Sequence, residues 1–251
     1  MYTYTLFIIF SLLFFIYIYT KTKTIKKTKL KKETFTNDFN QLDNLKPINI
    51  YDNIIDNNEC NKLIEISDGK FIKSTVYSSN NGKSSSKSLH PLKGLIVPSE
   101  LCPSASGFID EKSRSSTNYY FKRAENDLIS KIENKVCDLL NIKLDQIEPL
   151  QIAKYEKGQE YKYHYDYFDE TDNQRQYSII IYLNDLDEQD GGATHFPLYK
   201  CKFFPYKGRA IQWNNINSDK SLNKLSLHAG QPILTDKTKY ILTIWTREHS
   251  L

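Results

Sequence analysis

The pattern of apolar and polar positions divides the chain into three regimes. The first is an unbroken apolar run, Leu6-Phe7-Ile8-Ile9-Phe10-Ser11-Leu12-Leu13-Phe14-Phe15-Ile16-Tyr17-Ile18, with no charge between Met1 and Thr20. At about 1.5 Å per residue it is long enough to cross a bilayer core, and it reads as a transmembrane anchor over residues 2–19. A cleaved signal peptide is the competing reading, opposed by the missing charged n-region and the lack of a small-residue cleavage site around Tyr19-Thr20. The second regime, residues 20–46, is polar, rich in Lys and Asn and without period, as a linker would be.

From residue 47 the pattern becomes that of one folded domain, 47–251. Ile48–Ile55 reads as a short strand and turn, and Asp56 as the N-cap of a helix that carries Cys60, Leu63, Ile64 and Ser67 on one face. A second helix is predicted over Ala124–Leu140, with Leu128, Ile132, Val136 and Leu139/Leu140 as its apolar stripe. Between them Ser78–Ser88 reads by composition as a mobile surface loop, a substrate lid being the sharper alternative. From Leu150 onward short β-rich runs take over: Leu150–Tyr155, Tyr161–Tyr167, Tyr177–Leu183, Thr194–Pro197, Gly208–Trp213, Leu225–Ala229 and Lys239–Trp245. Turn residues separate them, notably Glu156-Lys157-Gly158, Asp190-Gly191-Gly192 and Asn214-Asn215, and the glycine pair reads as a hairpin turn rather than a phosphate cradle. Helices first and many short strands afterwards predict an α+β fold. Its N-terminal helices pack on a double-stranded β-helix, or jelly roll, whose core spans about 150–247.

Charge refines this picture. The formal +4 of the chain comes from Lys21, Lys23, Lys26, Lys27, Lys29, Lys31 and Lys32, and with their +7 taken off, residues 33–251 carry −3. A nucleic-acid partner is therefore excluded, since that function spreads basic residues over a folded face. By the positive-inside rule the same lysines favour a cytoplasmic catalytic domain. A hydrophobic fraction of 39% with 13% aromatics excludes a disordered or collagenous chain. The four cysteines, Cys60, Cys102, Cys137 and Cys201, have no CxxC spacing; a zinc site is not expected, and two disulfides or none are open.

The candidate chemistry starts at His164-Tyr165-Asp166. In a strand, residues two apart share a face, so His164 and Asp166 can converge on one ion. A third ligand from a distant strand, His228, would complete a two-histidine, one-carboxylate triad of the non-haem Fe(II) kind, which leaves coordination positions open. Alone, His-x-Asp is a weak signal and a solvent-facing pair is the default.

The residues around it change that balance. Tyr155-Glu156-Lys157-Gly158-Gln159-Glu160-Tyr161-Lys162-Tyr163-His164-Tyr165-Asp166, then Arg175, Tyr182-Leu183, Gly191-Gly192-Ala193-Thr194-His195-Phe196-Pro197, His228-Ala229-Gly230-Gln231-Pro232, Lys239-Tyr240 and Trp245 form an ordered set. As such it resembles the prolyl 4-hydroxylase family of Fe(II)/2-oxoglutarate-dependent dioxygenases. The likeness covers residues 150 to 247 and extends faintly to Ile55–Ile64. It implies a procollagen-proline 4-dioxygenase-like enzyme that hydroxylates peptidyl proline to 4-hydroxyproline. In the same turnover 2-oxoglutarate and O2 give succinate, and L-ascorbate rescues oxidised iron. His164, Asp166 and His228 would hold Fe(II), Trp245 would stand beside the iron, and Arg175 would lie on the side of a proline-rich or collagen-like peptide. The resemblance also implies a single-pass membrane protein of the endoplasmic reticulum, which the lysine run opposes in orientation; the Asn/Lys/Ile/Tyr-rich composition suits an AT-rich genome such as that of a large DNA virus. The rival readings are an oxygenase of the same class with another substrate, and a non-catalytic, membrane-tethered jelly-roll binding module.

The distal carboxylate of 2-oxoglutarate would lie deep in the barrel and needs a buried cation. Lys239 is the expected partner, with hydroxyl donors from Tyr155 and Thr194. In the family this lysine typically follows the second histidine by ten residues, a position held here by Thr238, with Lys237 and Lys239 on either side. The alternation of Lys239, Ile241, Thr243 and Trp245 onto one face, and the six-residue step from Lys239 to Trp245, favour Lys239 and put the extra residue in the turn around Thr235-Asp236-Lys237.

Overall fold

The computed structural model describes residues 48–78, 106–168 and 171–251. The expected anchor, the linker and nearly all of the Ser78–Ser88 loop lie outside the described residues, as does Cys102. No described helix is long and apolar enough to cross a membrane.

The elements in chain order are β1 (Ile48–Tyr51), α1 (Asn57–Ser67), β2 (Ile72–Lys73), β3 (Val76–Ser78), β4 (Ser106–Phe108), β5 (Thr117–Tyr120), α2 (Asp127–Leu140), β6 (Gln151–Tyr155), β7 (Tyr161–His164), β8 (Arg175–Tyr182), β9 (Thr194–Phe196), β10 (Cys201–Phe203), β11 (Ala210–Asn214), β12 (His228–Gly230) and β13 (Lys239–Arg247). A seven-stranded sheet runs β1-β11-β8-β13-β6-β5-β2, a four-stranded sheet runs β10-β9-β12-β7, and β3 pairs with β4. Every pairing between these strands is antiparallel.

Helix α1 starts where expected. The Asp56 carboxylate accepts from the backbone N–H of Asn58 and Glu59, and Glu59 accepts from the N–H of Asp56, a closed capping box. Helix α2 begins at Asp127, later than predicted, because Asn126 caps it through the N–H of Ile129 while Ala124 sits at φ 50°, outside helical geometry. Its innermost positions are Ile129, Ile132, Glu133 and Val136, so the stripe is rotated from the predicted one, and Leu128, Leu139 and Leu140 are only half-buried.

Both helices cover one face of the large sheet. Cys60, Leu63, Ile129, Ile132 and Val136 pack on Ile152, Ile179, Ile181, Leu183, Leu242 and Ile244 in one buried cluster. Each such aliphatic side chain contributes roughly 1.5–3 kcal/mol on full burial. The large sheet also recruits β1, β2 and β5, strands from before residue 150, so the sheet region is wider than the stretch predicted from alternation.

Two predicted strands are cut short, and both changes bear on the site. Tyr161–Tyr167 ends as a strand at His164, which leaves Asp166 beyond the ladder, and Leu225–Ala229 is replaced by a 3-10 turn over Lys224–Ser226 before β12 opens at His228. The glycine pair is not a hairpin either. It follows a 3-10 turn over Glu188–Asp190 on the crossover from β8 in the large sheet to β9 in the small one. Gly191 has φ 74°, and a Cβ there would stand 2.4 Å from the Pro232 carbonyl oxygen. Gly191→Ala is therefore expected to destabilise the domain by about 1–3 kcal/mol through left-handed strain and that clash; a denaturant midpoint equal to wild type would refute it. Cys60, Cys137 and Cys201 are free, which removes the two-disulfide alternative.

Candidate active site

Period-two alternation in the large sheet separates two chemistries. Register pairs Lys239 with Tyr155, Ile241 with Tyr182 and Ala153, Thr243 with Ile180 and Gln151, and Trp245 with Ser178. The intervening residues, Leu242 and Ile244 among them, face the helices. One face of the sheet is thus sealed by the core, and the other presents polar groups to a pocket. The small sheet supplies the opposite wall with His164, Thr194, His228 and Gly230.

His164 and His228 face each other across the β7–β12 ladder with ring centroids 4.2 Å apart. The Nδ1 of His164 lies 2.7 Å from the Lys162 carbonyl oxygen and that of His228 lies 2.8 Å from the Ser226 carbonyl oxygen. A carbonyl only accepts, so both rings are protonated at Nδ1 and turn a bare Nε2 inward. Those Nε2 atoms stand 3.8 Å and 3.7 Å from Asp166 Oδ1 and Oδ2. The three ligand atoms all lie within 4.8 Å of one another.

Burial lowers the pKa of both histidines, reinforced at His164 by His228 beside it, and both are held neutral. For Asp166 burial alone would act upward, but the charge of His228 and His164 when protonated, the Arg175 guanidinium and the Ser178 hydroxyl outweigh it, so its pKa is lowered and the carboxylate is ionised where the imidazoles are neutral. Two neutral imidazoles and one carboxylate around a common point are a donor set for a divalent transition metal with vacant positions. Cis ligands about 2.1 Å from one ion are about 3 Å apart, so each histidine has to close on Asp166 by less than about 1 Å and the widest pair of the cluster by up to about 2 Å to hold it.

Lys239 is deeper in the same pocket, 1% exposed. No carboxylate pairs with it among the described residues; its ammonium group lies 5.2 Å and 5.9 Å from the Tyr155 and Tyr182 ring centroids. Burial pushes its pKa down to about 7. A buried lysine without an acid is costly unless an anion arrives from outside, and this is the observation a dicarboxylate co-substrate fits. Thr194 lines the same space, its Oγ1 accepting at 2.8 Å from the Tyr182 hydroxyl, and Tyr155 lines it as well. Lys237, by contrast, is surface-exposed and bound at 2.7 Å to Asp190.

Trp245 borders the pocket with its indole N–H unpartnered. Arg175, expected on the peptide side, is 8% exposed: its Nε and Nη2 each donate to Glu148 at 2.7 Å, its guanidinium lies 3.9 Å from the Trp245 ring, and Nη1 is 3.8 Å from Asp166 Oδ1. Arg247 donates to the same Glu148 at 2.6 Å. For Glu148 burial acts upward, but the two guanidiniums outweigh it and hold the carboxyl below its usual range.

Sequence reasoning missed Arg114. It reaches the pocket from the turn before β5, donating to Ser116 and Gln151, with its guanidinium over the Tyr161 ring at 4.7 Å. That ring is itself stacked on His164 at 3.5 Å. No periodic or spacing signal distinguishes Arg114 from a surface arginine. His195 points to the other side of its strand, within 2.6 Å of the Tyr163 hydroxyl.

Residues 150–247 match the family model of the 2OG-Fe(II) oxygenase superfamily. Among curated relatives, prolyl 4-hydroxylase 5 of Arabidopsis thaliana is 29% identical over 224 residues, which are 80% of this chain and 68% of that protein. Among solved structures, the viral collagen prolyl hydroxylase vCPH of Paramecium Bursaria Chlorella virus-1, in its 2OG complex, is 29% identical with a TM-score of 0.59, covering 81% of this chain and 97% of the other. A prolyl hydroxylase of Trichoplax adhaerens, solved with a peptide fragment of hypoxia inducible factor, shares the fold at 17% identity, with a TM-score of 0.55 over 87% of this chain and 91% of that one.

Proposed function

We propose a substrate and a division of labour for a chain that is, by its matched domain and its relatives, a 2-oxoglutarate-dependent oxygenase: it converts peptidyl proline to 4-hydroxyproline while 2-oxoglutarate and O2 become succinate and CO2. The observation that carries the reading is the conjunction, in one pocket, of the two-histidine, one-carboxylate cluster with a buried lysine that lacks an acid. The prolyl substrate is supported by the relatives, two of which are prolyl hydroxylases at 29% identity over most of this chain.

In this reading His164, Asp166 and His228 hold Fe(II), which when bound supplies the open coordination face where 2-oxoglutarate and O2 are activated for attack on a C–H bond. Lys239 pairs with the distal carboxylate of 2-oxoglutarate, and Tyr155 and Thr194 bring hydroxyls to the same end. Ile180 and Ile241 keep that end dry, which strengthens the ion pair. Tyr161 and Trp245 border the pocket on the metal side, where a proline ring would enter. L-Ascorbate serves as the reductant outside the cycle. The N-terminal apolar run tethers the domain to a membrane, and the peptide it meets there is proline-rich or collagen-like.

Incubation of the full chain with Fe(II), 2-oxoglutarate, ascorbate and a panel of proline-rich and collagen-like peptides is expected to yield succinate together with one added oxygen per modified proline. Peptide-independent succinate with no modified peptide would favour another substrate. Peptide binding without any succinate would favour the binding module.

The lysine's burial also sets a pH dependence. In the free protein Lys239 is largely neutral above its value of about 7, and a bound carboxylate favours the ammonium form, so binding takes up a proton. Proton uptake means that affinity falls as pH rises: between about pH 7.5 and 9 the dissociation constant of 2-oxoglutarate should climb by up to about tenfold per unit. Calorimetry of the metal-loaded protein in buffers of different ionisation enthalpy would show the proton, and a pH-flat affinity would refute it.

A further inference from the structure

Two fully buried polar side chains beside the cluster have no role in the reading above: Ser178 in β8 and Asn215, one residue past β11. Ser178 Oγ lies 2.7 Å from Asp166 Oδ2, and Asn215 Nδ2 lies 2.8 Å from Ser178 Oγ. The sense of this chain follows from the chemistry of its ends. An ionised carboxylate only accepts, so the serine proton goes to Asp166; with its one proton committed, the hydroxyl can only accept from the amide. Asn215 keeps that direction although its own Oδ1 has no partner. Its main chain is fixed on both sides, the N–H donating to the Gln176 carbonyl and the carbonyl accepting from the Asn223 N–H, each at 2.9 Å.

Asp166 needs such a hold. It stands beyond the end of β7, so no strand pleat sets the direction of its side chain, and the terminal torsion of an aspartate is broad. Arg175 approaches the other oxygen only at 3.8 Å. The short contact in the neighbourhood is the serine's.

We propose that Ser178, oriented by Asn215, is a positioning residue of the metal centre that fixes the rotation of the Asp166 carboxylate and so the oxygen it turns to the ion. The proposal rests on the reading of His164, Asp166 and His228 as a metal site.

The test is a titration of the full-length chain with Co(II) alone, followed by its visible ligand-field absorption. Wild type is expected to bind one Co(II), and His164→Ala to lose it. Ser178→Ala should bind about 10–100-fold more weakly, with a shifted absorption band, the usual consequence of removing a hydrogen bond behind a metal ligand. Asn215→Ala should move in the same direction by a smaller factor, since the hydroxyl remains but loses its fixed sense. A folded Ser178→Ala with Co(II) affinity within about twofold of wild type and an unchanged band would overturn the proposal. Should Ser178→Ala fail to fold, Ser178→Cys keeps the shape with a weaker donor, and wild-type Co(II) binding in that variant would overturn it equally. If wild type itself shows no Co(II) binding that depends on His164, the metal-site reading falls and this proposal with it.

Discussion

Substitution of His164, Asp166 or His228 by alanine, one at a time, is expected to reduce succinate formation to background. The size of the effect follows from where these atoms stand. Loss of an outer hydrogen bond costs about 10–100-fold in metal affinity, so loss of a direct ligand should exceed about 100-fold. No other described His, Cys, Asp or Glu joins these three in a metal-competent group, so none of the described residues is placed to substitute. Asp166→Ala carries a second cost, because Ser178 loses its acceptor and Arg175 a neighbouring negative charge inside a buried region. Asp166→Asn tests the charge alone and should fail as well. Metal titration and turnover assays on folded variants are the measurements; wild-type turnover in any single alanine variant would remove that residue from the centre.

The second large effect is expected at Lys239. Lys239→Ala should raise the 2-oxoglutarate requirement by at least about tenfold, which is about 1.4 kcal/mol for a lost charge-assisted contact in a dry pocket. Lys237→Ala is the control. Its ammonium group is spent on Asp190 and Asp187 at the surface, so the same titration should barely move. If the two variants ranked in the opposite order, the co-substrate would have to bind elsewhere than along the inward face of β13.

The parts of this site that were legible in the sequence are those written in local periodicity. Lys239, Ile241, Thr243 and Trp245 declare one face of a strand by alternation, and the register of β13 with β6 and β8 puts that face on the pocket. The Asp56 cap was legible because a capping box is a four-residue event. His164 and Asp166 were paired by strand logic that does not hold, since Asp166 lies past the strand; the two converge through the turn of the chain and the Ser178 bond instead. Glu148 with Arg175 and Arg247, Arg114 with Gln151, and Ser178 with Asn215 were not legible as partners. Each pair is joined across at least 27 residues of sequence, and nothing in composition marks a polar side chain that folding will bury. The helix α2 stripe was misjudged for a related reason: Glu133 is buried as the acceptor for the Ala124 N–H, and a hydropathy pattern treats any glutamate as surface.

The turn ahead of β13 is where a change of length would be tolerated. Thr235 and Lys237 both bind Asp190, at 2.9 Å and 2.7 Å, so the turn is fastened to the rest of the protein from outside, before the strand begins. A residue gained or lost within the turn Thr235-Asp236-Lys237 changes a loop and leaves the inward order of β13 as it was. The same change one step later would exchange its faces, sending Lys239 toward Leu242's side of the sheet and an aliphatic side chain to the co-substrate. Length variation among descendants should therefore collect in the turn and be purged from the strand. A lysine one residue further from His228 can thus reach the same place on the inward face, provided the extra residue is held in the turn.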